Sequence, residues 1–84
     1  MAAKSKNLSY TVILDPDDQG RGYTVTVPAL PGIVTEGRNF EEAMAMAKDA
    51  IEGHLASLAE LGEPIPIERG EPVIGRISVR LKVA

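Results

Sequence analysis

Apolar and polar residues alternate in short stretches near both ends of the chain, and between them lies one long stretch with helical spacing. Residues 8–15 place Tyr10, Val12 and Leu14 on one face and Thr11 and Ile13 on the other, the period-two pattern of a strand. Pro16, Asp17, Asp18, Gln19 and Gly20 form a turn cluster, in which Pro presets the turn and Gly accepts positive φ. Residues 22–28 alternate again, with Tyr23, Val25 and Val27 opposed to Thr24 and Thr26. The pair reads as an antiparallel hairpin with a long loop, in which Tyr10 and Tyr23 stack as cross-strand neighbours. Pro31-Gly32 fits the central pair of a type II turn, which needs positive φ at the glycine. Leu30, held between Pro28 and Pro31, is expected to insert beneath the sheet, and a short third strand runs from Ile33 to Gly37.

Asn39 is a suitable helix N-cap, and Glu42 stands three residues later as in a capping box. From Phe40 to Leu61 the residues Phe40, Ala43, Met44, Ala47, Ile51, His54, Leu55, Leu58 and Leu61 gather on one side. Glu42, Asp49, Glu52 and Glu60 occupy the other. Gly62 suits the position after the helix, and Pro64 stops it from resuming. Residues 63–72 hold three prolines and read as an extended connector. In residues 73–83, Ile77, Val79, Leu81 and Val83 alternate with Arg76, Ser78, Arg80 and Lys82, a strand with one apolar and one basic face.

The predicted order is strand, strand, strand, helix, strand. The expected fold is therefore α+β in two layers, a three-stranded antiparallel sheet with one amphipathic helix on one face and a C-terminal strand. Residues 1–84 read as a single domain with a disordered tail at 1–7.

Eighty-four residues allow one modest core, near the lower edge of independent stability. There is no cysteine and a single histidine, so disulfides and thiolate or His-rich metal sites are excluded. Self-association, as a dimer or tetramer, is the remaining supplement, and Arg76, Ile77, Val79, Leu81 and Val83 of the terminal strand are the residues expected to carry it. Pairing of that strand within its own sheet is the alternative, and one strand can serve both. No apolar run is long enough for a membrane span or a signal peptide, so a cytoplasmic protein is expected.

The net charge of −3 hides an asymmetry. Residues 7–75 hold all 12 acids against four cations, a balance of −8, and the remaining cations sit at the two ends. An acidic body favours a basic partner over nucleic acid.

The candidate chemistry is sparse. Asp15, Asp17 and Asp18 cluster, but Asp-Pro-Asp-Asp-Gln-Gly lacks the spacing of a calcium loop, and turn chemistry is the simpler reading. His54 has no second His, Cys or recognisable nucleophile to work with. Gly20-Arg21-Gly22 opens no helix and so lacks the geometry of a phosphate loop. Gly53 lies inside the helix on its outer side, either by drift or because a partner backbone approaches there, near Met46 and Ala56. No catalytic residue, metal or cofactor is expected.

Taken together, Tyr10 to Leu14, Gly22 to Pro28, Leu30-Pro31-Gly32, Thr35-Glu36-Gly37, Glu41-Glu42-Ala43 and Ala50-Ile51 resemble the HicB-like antitoxin family. The resemblance implies a truncated ribonuclease-H-like fold without working carboxylates. It also implies a partner, a small basic HicA-like toxin that cleaves messenger RNA and is neutralised by being covered. Ile77-Ser78-Val79-Arg80-Leu81 resembles the opening strand of a ribbon-helix-helix module, but no helices follow it in these residues, so operon repression by them alone is not expected.

Three functions follow from this reading. In the first, an antitoxin meets its toxin through Asp17, Asp18, Glu36, Glu41, Glu42 and Asp49, with Met46 and Gly53 adding close contact. In the second, Arg76, Arg80 and Lys82 line a nucleic-acid-binding face, doubled by dimerisation. The third, a metal-dependent nuclease, has only Asp15 as a strand-end acid.

Overall fold

The computed structural model describes residues 7–83 of the chain. Strands β1 (Ile13–Pro16), β2 (Tyr23–Thr26) and β3 (Val34–Gly37) form one antiparallel sheet in the order β1-β2-β3, and helix α1 (Phe40–Glu60) follows and packs on it. The α+β two-layer arrangement is as expected. Residues 1–6 of the expected tail lie outside the described residues.

The register assigns the two faces of the sheet. Val25, fully buried, pairs with Leu14 on one side and Thr35 on the other, and this row faces α1. Ile13, Thr26 and Val34 form one row of the opposite face, and Asp15, Thr24 and Glu36 form the next. That second face carries no helix among the described residues.

The core is small and comes in two pieces. Val25, Ala43 and Ala47 form one, flanked by Val12, Leu14 and Tyr23. Val27, Leu30 and Ile33 form the other, flanked by Tyr10, Ala50, Ile51 and Leu55. The second piece exists because of two successive turns that share one residue. The Leu30 amide donates to the Val27 carbonyl at 2.9 Å, and the Ile33 amide donates to the Leu30 carbonyl at 3.1 Å. Leu30 is thereby swung inside, where it is 2% exposed.

These turns also correct two expectations. The Leu30–Ile33 turn is not type II, because Gly32 is not among the glycines with positive φ; Pro31 at its second position suits a type I turn as well. β2 ends at Thr26 because the chain turns away at Val27 and Pro28 has no N–H, so residues 8–12 have no strand opposite them and β1 starts only at Ile13. The two tyrosines therefore do not stack: Tyr23 pairs with Pro16 and Gly37, and Tyr10 belongs to the other core piece.

Helix α1 is capped at both ends. The Asn39 carboxamide oxygen accepts from the Glu42 amide at 2.8 Å. The Glu42 carboxylate does not return this to Asn39 as a capping box would; it accepts from the amide of Arg38, one residue earlier, at 3.1 Å. At the other end Gly62 takes φ 68°, its amide donates to Ala59, and the Glu63 amide donates to Leu58 at 2.9 Å, a Schellman closure.

With 21 residues α1 is about 31 Å long, whereas a four-residue strand spans only about 13 Å. The apolar stripe therefore outruns the sheet. Ala43 and Ala47 are buried and Ile51, Leu55 and Leu58 half-buried, but Phe40, Met44, His54 and Leu61 are exposed.

The connector docks against the residues just before β1. The Tyr10 hydroxyl donates to the Pro66 carbonyl. The Thr11 hydroxyl and amide both donate to the Glu68 carboxylate, at 2.6 and 2.8 Å. These bonds, the hydroxyl's first, hold Glu68 below the usual glutamate range. Their stabilisation is complete above the unfolded-state value of about 4.3 and is lost as pH falls through the lowered folded-state value. The Thr11 amide resonance should accordingly titrate with a midpoint below that of an ordinary glutamate. A midpoint at the ordinary value, or no titration, would contradict the contact.

Beyond the connector the expected terminal strand is not formed. Residues 73–83 keep their alternation but pair with no strand among the described residues, and Val73, Ile77, Val79, Leu81 and Val83 are all more than four-fifths exposed. No sheet edge of the described residues lies alongside them.

Candidate functional site

Three exposed regions surround the core: an acidic hollow at one end of the sheet, an apolar groove beside β1, and the terminal arm.

The hollow, of about 480 Å³, lies where the β1–β2 turn, the end of β3 and the first turns of α1 meet. It is lined by Asp17, Glu36, Glu42 and Met46 of the expected partner surface, together with Arg21, Tyr23, Thr24 and Arg38. Two of its acids are already engaged. Glu42 takes a 2.8 Å contact from the Arg38 guanidinium, whose side-chain bond and backbone N–H hold the Glu42 carboxyl below its ordinary range. This pair is well exposed and adds little to stability. Asp17 accepts from the Gln19 amide at 3.1 Å and lies 3.8 Å from Arg21. Glu36, on the uncovered sheet face, has no ion-pair partner among the described residues.

The other expected contact residues are more dispersed. Asp18 is exposed in the β1–β2 turn, and Glu41 is exposed in the first turn of α1. Met46, Asp49 and Gly53, three and four residues apart, share one flank of α1 that continues from the hollow. Asp15 lies on the uncovered sheet face, away from Asp17 in its turn. Among the described residues no three of His, Asp or Glu gather closely enough to hold a metal ion.

A Cβ built on Gly53 meets nothing within 4 Å. The fold therefore gives no steric reason for glycine there. A Gly53→Ala variant should be more stable by about 1 kcal/mol, a rise in Tm of roughly 4–8 °C in thermal melts. If a partner packs against this flank, the same variant weakens its binding.

The groove, of about 450 Å³, was not anticipated from the sequence. Leu8, Tyr10, Val12, Met44, Ile51 and Leu55 line it, with Lys48 and Glu52 at its rim. It exists because α1 sits over β2 and β3 and leaves the helix side of β1 partly bare. The only sequence signal for it was the Tyr10-Val12 alternation continuing beyond the end of the ladder. Arg38 was likewise missed, although its i, i+4 spacing to Glu42 is the usual signature of such a pair.

The site thus offers exposed carboxylates and a helix flank carrying Met46 and Gly53. No helix among the described residues is long and apolar enough to cross a membrane.

Residues 10–73 match the model of the HicB_like antitoxin of bacterial toxin-antitoxin system. A UPF0150 protein of Thermoplasma acidophilum is 41% identical over 66 residues, covering 79% of this chain and 94% of that protein. Antitoxin HicB 1 of Photorhabdus laumondii is 40% identical over 62 residues, covering 74% of this chain but only 39% of its own length. A UPF0150 protein of Synechocystis is 38% identical over 60 residues, 71% of this chain and 75% of that protein. No solved structure matches. The family match spans three strands, the helix and the docked connector, and the chain belongs to the HicB-like antitoxin family of bacterial toxin–antitoxin systems.

Proposed function

We propose that this chain is an antitoxin that binds a basic, HicA-type messenger-RNA-cleaving toxin and silences it by coverage, without chemistry of its own. The observation that carries this reading is the set of exposed carboxylates Asp18, Glu36, Glu41 and Asp49 spread around the hollow and the flank residue Met46, on a stretch, residues 7–75, with a balance of −8. Such a field speeds and orients the docking of a basic protein, and a desolvated apolar patch slows its release. Asp17 and Glu42 belong to the same surface but first have to exchange their local arginine partners. Gly53 lets a partner approach the flank closely.

Photorhabdus HicB 1 is much longer than the matched region, so any activity of its remaining length is not carried over. Repression of an operon is not part of the proposal. A truncated ribonuclease-H-like ancestry and a cytoplasmic location fit the reading, as does a homo-oligomer.

The test is co-expression with a HicA-type toxin, sought first as a small basic protein encoded next to this chain. Retention of that toxin on the tagged chain, with relief of its growth arrest, is expected. A neighbouring HicA-like toxin that is neither retained nor neutralised would refute the proposal.

A second reading rests on the exposed cations Arg76, Arg80 and Lys82 of the arm, which make a row suited to phosphates. It requires salt-dependent binding of RNA or DNA by the purified protein, and a lack of any binding at low salt would dispose of it.

A further inference from the structure

We infer that the arm Val73–Val83 of one copy adds as a fourth strand to the β3 edge of a second copy, with its basic row on the face that carries Glu36. Four observations lead there.

The arm has the pattern of a strand and nothing to pair with. Val73 is 94% and Ile77 88% exposed, so a row of apolar side chains and a row of backbone donors and acceptors both face water. Such a segment is a template for strand pairing.

The second observation is the state of the sheet edges. Just before β1 the chain is tied to the connector, through Tyr10 to Pro66 and Thr11 to Glu68, so the arm sets out from the β1 side of its own sheet. β3 is the other edge, without a neighbouring strand among the described residues. The arm leaves its own sheet past the β1 side, so the β3 edge it meets is that of another molecule.

Charge supplies the third. Because side chains alternate along a strand, placing the apolar row on the helix side of the sheet puts Arg76, Arg80 and Lys82 together on the other face. That face carries Glu36 on β3, followed by Thr24 and Asp15. Two arms paired antiparallel with each other fare worse. Registers centred on Ser78 or Val79 set Arg76 opposite Arg80 or Lys82, like charges face to face. The register centred on Ile77 avoids this only by setting Lys82 opposite Pro72, which has no N–H.

The fourth is room. On the helix side, the α1 flank that continues from the hollow presents Met46 and Gly53 with Asp49 between them, and a Cβ at Gly53 meets nothing within 4 Å. Ile77, Val79 and Leu81 would pack beneath that flank. The surface overlaps the one proposed for the toxin, so arm and toxin would compete for it. The test therefore uses the chain alone, and its outcome does not depend on the toxin reading.

The absence of cysteine allows single thiols to be placed cleanly. A Glu36→Cys chain is mixed in turn with Arg76→Cys, Arg80→Cys and Lys82→Cys chains under mild oxidation, and with Ile77→Cys and Val79→Cys as opposite-face controls. A mixed disulfide with at least one of the basic positions, and with neither control, is expected. In sedimentation the unmodified chain should be a concentration-dependent oligomer, and Glu36→Lys should weaken association by roughly tenfold or more, a readout that needs no thiol. Disulfides between two arms only, an unmodified chain that stays monomeric, or a Glu36→Lys chain that associates as before would each overturn the inference.

Discussion

A Gly37→Ala variant should lose about 3 kcal/mol of stability and melt more than 10 °C lower, although only one methyl group is added. Gly37 ends β3, pairs with Tyr23 and is buried. A Cβ there would lie 2.3 Å from the Ala43 nitrogen and 2.5 Å from the Ala43 Cα. Both are backbone atoms of the first turns of α1, which the Asn39 cap and the Arg38–Glu42 pair fix in place. The helix would have to lift from the sheet, and Ala43 and Ala47 would leave the core with it. Gly22 is locked into the same corner, since its own Cβ would meet the Gly37 carbonyl oxygen at 2.3 Å. The measurement is a urea or thermal melt by circular dichroism. A Gly37→Ala chain as stable as the parent would show that the strand–helix approach is looser than described.

Leu30→Ala should cost a similar amount, about 2–5 kcal/mol, for a different reason. Leu30 is among the largest fully buried side chains and anchors the core piece formed with Val27 and Ile33. Its two turn hydrogen bonds are made by the backbone and survive the substitution. What is lost is apolar contact, and a cavity is left in a core that has few other members. A domain of this size has in total about 4–12 kcal/mol of stability, so the variant is expected to be partly unfolded at growth temperature. A chemical-denaturation midpoint unchanged from the parent would contradict the placement of Leu30.

Local signals were legible in the sequence and pairing was not. The helix could be read because Asn39, the apolar period, Gly62 and Pro64 each bear on a few neighbouring residues. Leu30 could be read because prolines on both sides restrict how the chain runs past it. The lengths of the strands could not, because β1 starts only where β2 still runs opposite it, and that is decided by the turn at Val27 fifteen residues away in sequence from Val12. The Tyr10–Tyr23 stack failed for the same reason, the true register being fixed by Leu14 opposite Val25. The arm shows the limit most plainly. Alternation at Ile77, Val79 and Leu81 establishes that it suits a sheet but not which sheet. The ties of Asp17 to Arg21 and of Glu42 to Arg38 depend on how a turn and a helix start meet in space.

The proposed function is occupation of a toxin without chemistry. Its most direct test is a messenger-RNA cleavage assay in which a HicA-type toxin that the chain retains is titrated with the purified chain. Cleavage should fall in proportion to added chain and stop at equimolar ratio, while the chain alone leaves the RNA intact. Undiminished cleavage at excess chain would contradict it, as would RNA cleaved by the chain itself.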